Sequence, residues 1–235
     1  DFTKKEETQD RIKDADIVLT NKVLITKEHM DNSNIQLICI TATGMNNVDL
    51  EYAKIKKIEV KNVAGYSTSS VVQVGFSMIF HFVQKLNYYK NYVDQGKWQK
   101  SDIFTHIDKP FFELDGKKVG IIGLGEIGRN FAKKAKAFDC EVMYYSTSGR
   151  NSNSEYKQVS LDELLKTCDI ITIHAPLNDD TKDLLNYENM KNIKDGAILL
   201  NLGRGGIINE ADLAKIIDEK EIYCGIDVVA VEPIL

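Results

Sequence analysis

Three glycines, one arginine and two carboxylates are the residues of this chain whose types and spacing could do chemistry together. Gly123, Gly125 and Gly128 form the run G-L-G-E-I-G. A turn this tight needs a residue without a Cβ at Gly123, a diphosphate can approach the main chain only if Gly125 is bare, and Gly128 lets a following helix lie close on the preceding strand. The N–H groups at the helix start, those of Glu126 and Ile127, then face the anion. Arg204 sits between glycines in Leu202-Gly203-Arg204-Gly205-Gly206, where a guanidinium could make a bidentate bond to a carboxylate. Asp227 and Glu232 stand five residues apart in a loop that closes a strand-like run. Hydride exchange between a dinucleotide and a carbon bearing a hydroxyl needs such a set, a cation for the substrate's charge and an acid/base for its oxygen. Spacing alone leaves two plainer readings open: Arg204 caps a strand or pairs with an acid, and the Asp227 loop is solvated.

The elements that would position these groups are legible from periodicity. Residues 117–122 read as a buried strand and 126–138 as an amphipathic helix, so the glycine pattern stands directly after a strand and at the opening of a helix, the context that gives it weight. Upstream, 4–15 reads as a charged amphipathic helix, 16–20 as a strand running into a turn at Asn21-Lys22, 25–32 as a short helix, 36–41 as an apolar strand, 49–55 as a helix, and 58–60 as the next strand. One long helix is expected from Ser67 to about Gln95, with Val71, Val74, Met78, Phe82 and Leu86 at helical spacing and Gly96 as its terminator. Downstream come a strand at 141–145, a polar loop at 146–154, a helix at 161–167 with Ser160 and Glu163 as a capping box, and strands at 169–174, 197–202 and 223–228. A helix is expected at 211–219. Apolar strands separated by helices imply a parallel sheet covered on both faces. In a doubly wound sheet, ligands lie outside the carboxyl ends of the strands, so loops beginning at Gly123, Ser146, Ala175, Gly203 and Val229 should face one crevice.

The whole chain sets bounds on this reading. It has 235 residues, 43% of them hydrophobic and 28% charged, enough for one large or two small domains. A net charge of −5 gives no general attraction to nucleic acid or an anionic membrane. Small-molecule chemistry is the better expectation. The four cysteines, Cys39, Cys140, Cys168 and Cys224, are widely spaced, so neither a metal site nor a disulfide framework is expected, and a reducing, cytoplasmic setting is. The most apolar run, 71–83, is interrupted by Gln73, Ser77 and His81 before it reaches the roughly 20 residues of a bilayer span. The chain opens at Asp1 without methionine and ends just after Glu232-Pro233, and both termini of the natural protein are expected to extend further.

The motifs NLGRGGIINEADL and GIDVVAVEP, downstream of GLGEIG and the segment HAPLNDDT, resemble the D-isomer-specific 2-hydroxyacid dehydrogenases, and the similarity runs along essentially the whole chain. NVAGYSTSSVVQ, YVDQGKW and FFELDGKKVGIIG resemble more narrowly the glycerate dehydrogenase, or hydroxypyruvate reductase, branch. The resemblance implies a doubly wound Rossmann cofactor domain over residues 66–235, with a dimer-forming helix, and a smaller flavodoxin-like α/β substrate domain, incomplete here, over 1–65. It implies that Arg204 binds the substrate carboxylate and carbonyl, that Glu232 orients a catalytic histidine, and that the Ala42-Thr43-Gly44 turn holds the carboxylate from the other domain. It places His174, Ala175, Pro176, Thr181, Leu202, Gly203 and Asp227 along the cofactor crevice.

That catalytic histidine would stand some tens of residues after Glu232-Pro233, beyond Leu235. Of the four present, His29, His81 and His106 are not positioned by any motif, and His174 matches a crevice residue and not the base. The cofactor is expected to be NAD or NADP. A selector for NAD presents an acid at the end of the second strand of the motif; Ser146 stands there instead, and either Ser146, Thr147, Ser148 and Arg150 take a 2′-phosphate, or Arg150 is solvated and Ser146 binds the adenosine ribose of NAD. The implied activity is hydride exchange between a nicotinamide and a small D-2-hydroxy or 2-oxo acid, D-glycerate and hydroxypyruvate or glycolate and glyoxylate, in a homodimer. A dinucleotide-sensing corepressor and a phosphoglycerate dehydrogenase are the alternatives.

Overall fold

A computed structural model describes residues 3–153 and 155–232; Ser154 and the Pro233 of the Glu-Pro pair lie outside them. The chain divides into two compact units, Asp1–Ser67 and Thr68–Leu235.

In the first unit, α1 (Thr8–Ile12), β1 (Ile17–Thr20), α2 (Lys27–Asp31), β2 (Leu37–Ile40), α3 (Leu50–Lys56) and β3 (Glu59–Asn62) alternate. The three strands pair in parallel in the order β1-β2-β3. Ile38 and Ile40 of β2 are almost wholly buried and pack with Ile25, Met30 and Ala53. The helix expected over 4–15 is shorter: only Thr8 and Ile12 of α1 are buried, too few to hold three turns against water. Asp49 caps α3 by accepting from the Tyr52 N–H at 3.0 Å.

The second unit begins with α4 (Thr68–Val83) and α5 (Leu86–Asp94) where one continuous helix was expected. The break is at Lys85, whose φ of 50° is left-handed. Its ammonium lies 4.0 Å from the centre of the Tyr223 ring and donates to the Tyr223 hydroxyl at 2.9 Å. That anchorage replaces the helical continuation. The stripe expected on α4 holds in part: Val71, Met78 and Phe82 pack half-buried against the core, Val72, Phe76, Ile79 and Val83 are its buried face, and Val74 and Leu86 are exposed. Apolar residues surround this helix, so several stripes satisfy the same spacing and the partner selects one. Gly96, at φ 66°, ends α5 as expected.

There follow β4 (Lys118–Ile122), α6 (Glu126–Ala137), β5 (Glu141–Tyr145), β6 (Lys157–Gln158), α7 (Leu161–Thr167), β7 (Ile170–Ile173), α8 (Tyr187–Met190), β8 (Ile198–Asn201), α9 (Glu210–Glu219) and β9 (Tyr223–Ile226). The six strands form one parallel sheet in the order β6-β5-β4-β7-β8-β9. One face is covered by α4 and α6, with Phe76 stacked on Phe131 at 4.6 Å. The other carries Leu164 and Leu165 of α7, Met190 of α8, and Leu213 and Ile216 of α9. With both faces covered, β7 and β8 are buried at every position, which is why they read as continuous apolar runs. Only half of the box at α7 forms: Ser160 Oγ accepts from the Glu163 N–H at 3.1 Å, but the Glu163 carboxylate turns outward to Lys157.

Candidate active site

The chain reverses strand order at β4, with β5 on one side and β7 on the other, and the crevice of a doubly wound sheet opens there. The first residue of each neighbouring loop is still held by the ladder. Gly123 donates to Tyr145 O at 2.9 Å, His174 to Ile122 O at 2.8 Å, Leu202 to Ile173 O at 3.3 Å, and Asp227 to Asn201 O at 3.1 Å. Four loops carrying predicted residues therefore leave the sheet in one row.

The glycine turn meets the demands set by its sequence. Gly123 has φ 92°, and a Cβ there would lie 2.9 Å from the Ala175 nitrogen. At Gly128 a Cβ would come within 2.2 Å of Gly123 O, so only glycine lets α6 lie this close. Gly125 is the opposite case, with nothing within 4 Å of an added Cβ. Space stands open over the one glycine that a diphosphate must approach. At the end of β5, Ser146 is buried and its Oγ has no hydrogen-bond partner. A buried hydroxyl without a partner costs roughly 1–3 kcal/mol, and a ribose hydroxyl or phosphate oxygen would satisfy it. The residues present thus suit a dinucleotide. Arg150 is exposed, beyond Gly149 at φ 65°, and its guanidinium has no carboxylate partner among the described residues.

His174 and its neighbours form the wall opposite. Its Nε2 lies 3.0 Å from Thr172 Oγ1, while Nδ1 is cut off from water without a partner. Burial pushes this imidazole down to about 3, so the ring stays neutral at neutral pH. The unfolded chain, with an ordinary value of 6.5, takes up the proton first. Stability should accordingly fall as pH drops below 6.5 towards 3, by at most about 1.4 kcal/mol per pH unit from this group. Urea unfolding at pH 7, 6 and 5 checks this: the gap between the unaltered protein and His174→Gln should narrow steadily towards acid, and a constant gap would refute it. Ala175 is buried and Pro176 exposed. Thr181 is fully buried, donates to Pro176 O at 2.7 Å and accepts from the Asn178 N–H at 2.8 Å, and so shapes this loop from inside.

The arginine loop is organised by a residue that the sequence reading passed over. Asn201, only 2% exposed at the end of β8, accepts from the Gly203 N–H at 3.2 Å and donates to Arg204 O at 2.9 Å. Its side chain thus fixes the main chain on both sides of Arg204. An amide ending an otherwise apolar strand was the available signal. The guanidinium itself donates to Gly203 O at 2.8 Å and meets no carboxylate among the described residues. A Cβ on Gly205 would come within 2.0 Å of Val229 O, so this loop lies directly on the loop of Asp227 and Glu232. The Ala230 N–H in turn donates to Glu210 Oε1 at 2.6 Å, a second positioning contact not foreseen.

In the first unit, the Ala42-Thr43-Gly44 turn is braced by Val63 N–H to Ala42 O at 3.1 Å and by Asn62 Nδ2 to Thr43 O at 2.7 Å. The other histidines are differently engaged: the Thr26 N–H donates to His29 Nδ1 at 3.1 Å, His81 is exposed beside Phe82, and His106 stacks on Tyr92 at 3.6 Å. Among the described residues no three metal-ligating side chains converge, and no helix is long and apolar enough to cross a membrane. All four cysteines are free, and burial pushes the thiols of Cys140 and Cys224 up to about 11 and that of Cys168 to about 12.

Fold and crevice together define a nucleotide-binding module of the doubly wound class. Residues 76–235 match the family described as D-isomer specific 2-hydroxyacid dehydrogenase, NAD binding domain, and the chain belongs to that family. It is 39% identical to a hydroxypyruvate reductase of Blautia hydrogenotrophica, over 99% of this chain and 74% of that one. It is 34% identical to a glycerate dehydrogenase of Methylorubrum extorquens, over 97% and 72% of the two chains. Among solved structures, an acyclic imino acid reductase in complex with NADPH and D-Arg superposes with a TM-score of 0.88 at 30% identity, over 98% and 74%. The chain therefore belongs among the NAD(P)-dependent hydroxyacid oxidoreductases, which act on CH–OH donors.

Proposed function

We propose that the substrate is a small D-2-hydroxy acid or its 2-oxo partner, D-glycerate and hydroxypyruvate first, glycolate and glyoxylate second. The observation that supports it most directly is Arg204, held on both sides by Asn201 and unpaired with any carboxylate among the described residues. Such a guanidinium is suited to the carboxylate and adjacent oxygen of a 2-oxo acid. The names of the relatives from Blautia and Methylorubrum point to the same acids.

In this reading Gly123, Gly125, Glu126, Ile127 and Gly128 hold the diphosphate through the main chain, and Ser146 takes the adenosine ribose. His174, Ala175, Pro176, Leu202, Gly203 and Asp227 line the nicotinamide side, with Thr181 shaping their loop. Bound there, the nicotinamide supplies or accepts the hydride. Arg204 orients the acid and draws charge towards its oxygen. Glu232 holds a histidine in its charged form, which passes a proton to that oxygen. Ala42, Thr43 and Gly44, as part of a substrate domain over residues 1–65, hold the carboxylate from a second direction.

The experiment is oxidation of NADH and NADPH by the intact gene product, in parallel, with hydroxypyruvate and with glyoxylate. Turnover is expected with both acids. Measurable dinucleotide binding without turnover of either would overturn the substrate reading. Because Ser146 replaces the acid that repels a 2′-phosphate and Arg150 beyond it has no carboxylate partner among the described residues, NADPH should be accepted. Ser146→Asp should move the NADPH to NADH ratio of kcat/KM about tenfold or more towards NADH; an unchanged ratio would remove this strand end from cofactor choice.

The surface around α5 supports assembly as a homodimer. No residue of α5 is buried, and Leu86, Val93, Trp98, Ile103, Phe104, Ile107 and Phe111 are exposed. Sedimentation equilibrium should give twice the chain mass, and a monomer at micromolar concentration would refute it. The free thiols suit a reducing, cytoplasmic compartment.

A further inference from the structure

The first helical position after the glycine turn carries a charge of the wrong sign for its neighbour. Glu126 opens α6, and its N–H is among those assigned to the diphosphate. An acid is favourable at a helix N-terminus while no other anion is there, but it repels one that arrives. The carboxylate has a defined direction: Thr68 Oγ1 donates to Glu126 Oε1 at 2.9 Å. Thr68 is the first residue of α4 and only 6% exposed. Because α4 is packed on α6 through Phe76 and Phe131, that hydroxyl is a fixed point. Over Gly125, by contrast, the space is open.

We infer that Thr68 is a positioning residue of the dinucleotide site, whose hydroxyl holds the Glu126 carboxylate aside on α4 and leaves the amides of the glycine turn to the diphosphate. This rests on the dinucleotide reading above and adds to it a residue 58 positions away in sequence that no glycine motif contains.

Charge and packing make different predictions here. Glu126→Gln removes the repulsion and also the favourable interaction with the helix end, so it should tighten dinucleotide binding while lowering the Tm of the free protein. A packing role would weaken both. Thr68→Val keeps the shape but releases the carboxylate, which should weaken binding most at low ionic strength. In the Glu126→Gln background the same change should have little effect, since no charge remains to restrain.

The test is a fluorescence titration of NADH and NADPH into the unaltered protein, both single variants and the double variant, at about 20 mM and about 500 mM salt. Thr68→Val is expected to raise Kd about five- to tenfold at low salt and less than about twofold at high salt, and Glu126→Gln to lower Kd about threefold at low salt. Equal weakening by Thr68→Val in both backgrounds, or at both salt concentrations, would overturn the inference, as would weaker binding by Glu126→Gln. Should Thr68→Val not fold, Thr68→Ser decides: it keeps the donor and must keep the unaltered Kd. No dinucleotide binding by the unaltered protein would remove the site reading itself, whereas binding with a flat response to these variants would remove only the role of Thr68.

Discussion

Arg204→Ala should lower kcat/KM for the oxo acid by about three orders of magnitude, ~4 kcal/mol of transition-state stabilisation. The dinucleotide Kd should move less than about threefold, since the diphosphate and ribose groups are bound elsewhere. The size follows from the setting. Asn201 fixes the main chain on both sides of Arg204, and the guanidinium is half-buried with a single bond to Gly203 O. It therefore enters the reaction already oriented, and no competing carboxylate among the described residues has to be displaced. Arg204→Lys should recover only part of the loss, because an ammonium cannot make two parallel bonds to a carboxylate. Steady-state kinetics beside a binding titration check both statements. A fall of less than tenfold for the alanine variant would mean that the carboxylate is held elsewhere.

Gly125→Ala and Gly128→Ala should part company although they lie three residues apart in one motif. At Gly125 an added methyl meets nothing within 4 Å, so the protein should fold with its Tm unchanged within about 2 °C. Its dinucleotide Kd should nevertheless rise about a hundredfold or more, because the methyl stands where the diphosphate must approach. At Gly128 the obstacle is Gly123 O at 2.2 Å, main chain that cannot rotate away. Overpacking of this kind costs about 1–3 kcal/mol, equivalent to a Tm lower by roughly 2–12 °C for a unit of this size, and binding should be lost with it. Thermal melts with and without NADH separate the two. A Gly125→Ala variant that binds normally would place the diphosphate somewhere other than this turn.

The parallel sheet and its glycine turn were legible because the residues there answer to one environment each. Strands β7 and β8 are buried throughout and β4 at all but its first residue, so their composition alone marks them, and the turn itself demands Gly123 for its φ of 92° and Gly128 for its approach to Gly123 O. The long helix was misread where the outcome depended on tertiary partners. Val74 satisfies helical spacing as well as Val72, Phe76 and Ile79 do, and only tertiary packing leaves it exposed while Val71 and Met78 stay half-buried against the core. Lys85 carries no local signal for a left-handed residue, since what holds it there is Tyr223, far along the chain. In the same way Asn201, Glu210 and Thr68 look ordinary in sequence, and their effect appears only when the loops they brace are brought beside them.

The left-handed residue at Lys85 also divides the chain by its exposure to opening. Before it, α4 buries Val72, Phe76, Ile79 and Val83 and its amides can exchange with solvent only when the central sheet gives way. After it, α5 buries nothing of its own within the chain and leans on the ring of His106 against Tyr88 and Tyr92. Two neighbouring helices thus belong to different cooperative units. In the isolated chain, deuterium should enter the second many times sooner than the first, and the boundary between slow and fast amides should fall at one lysine.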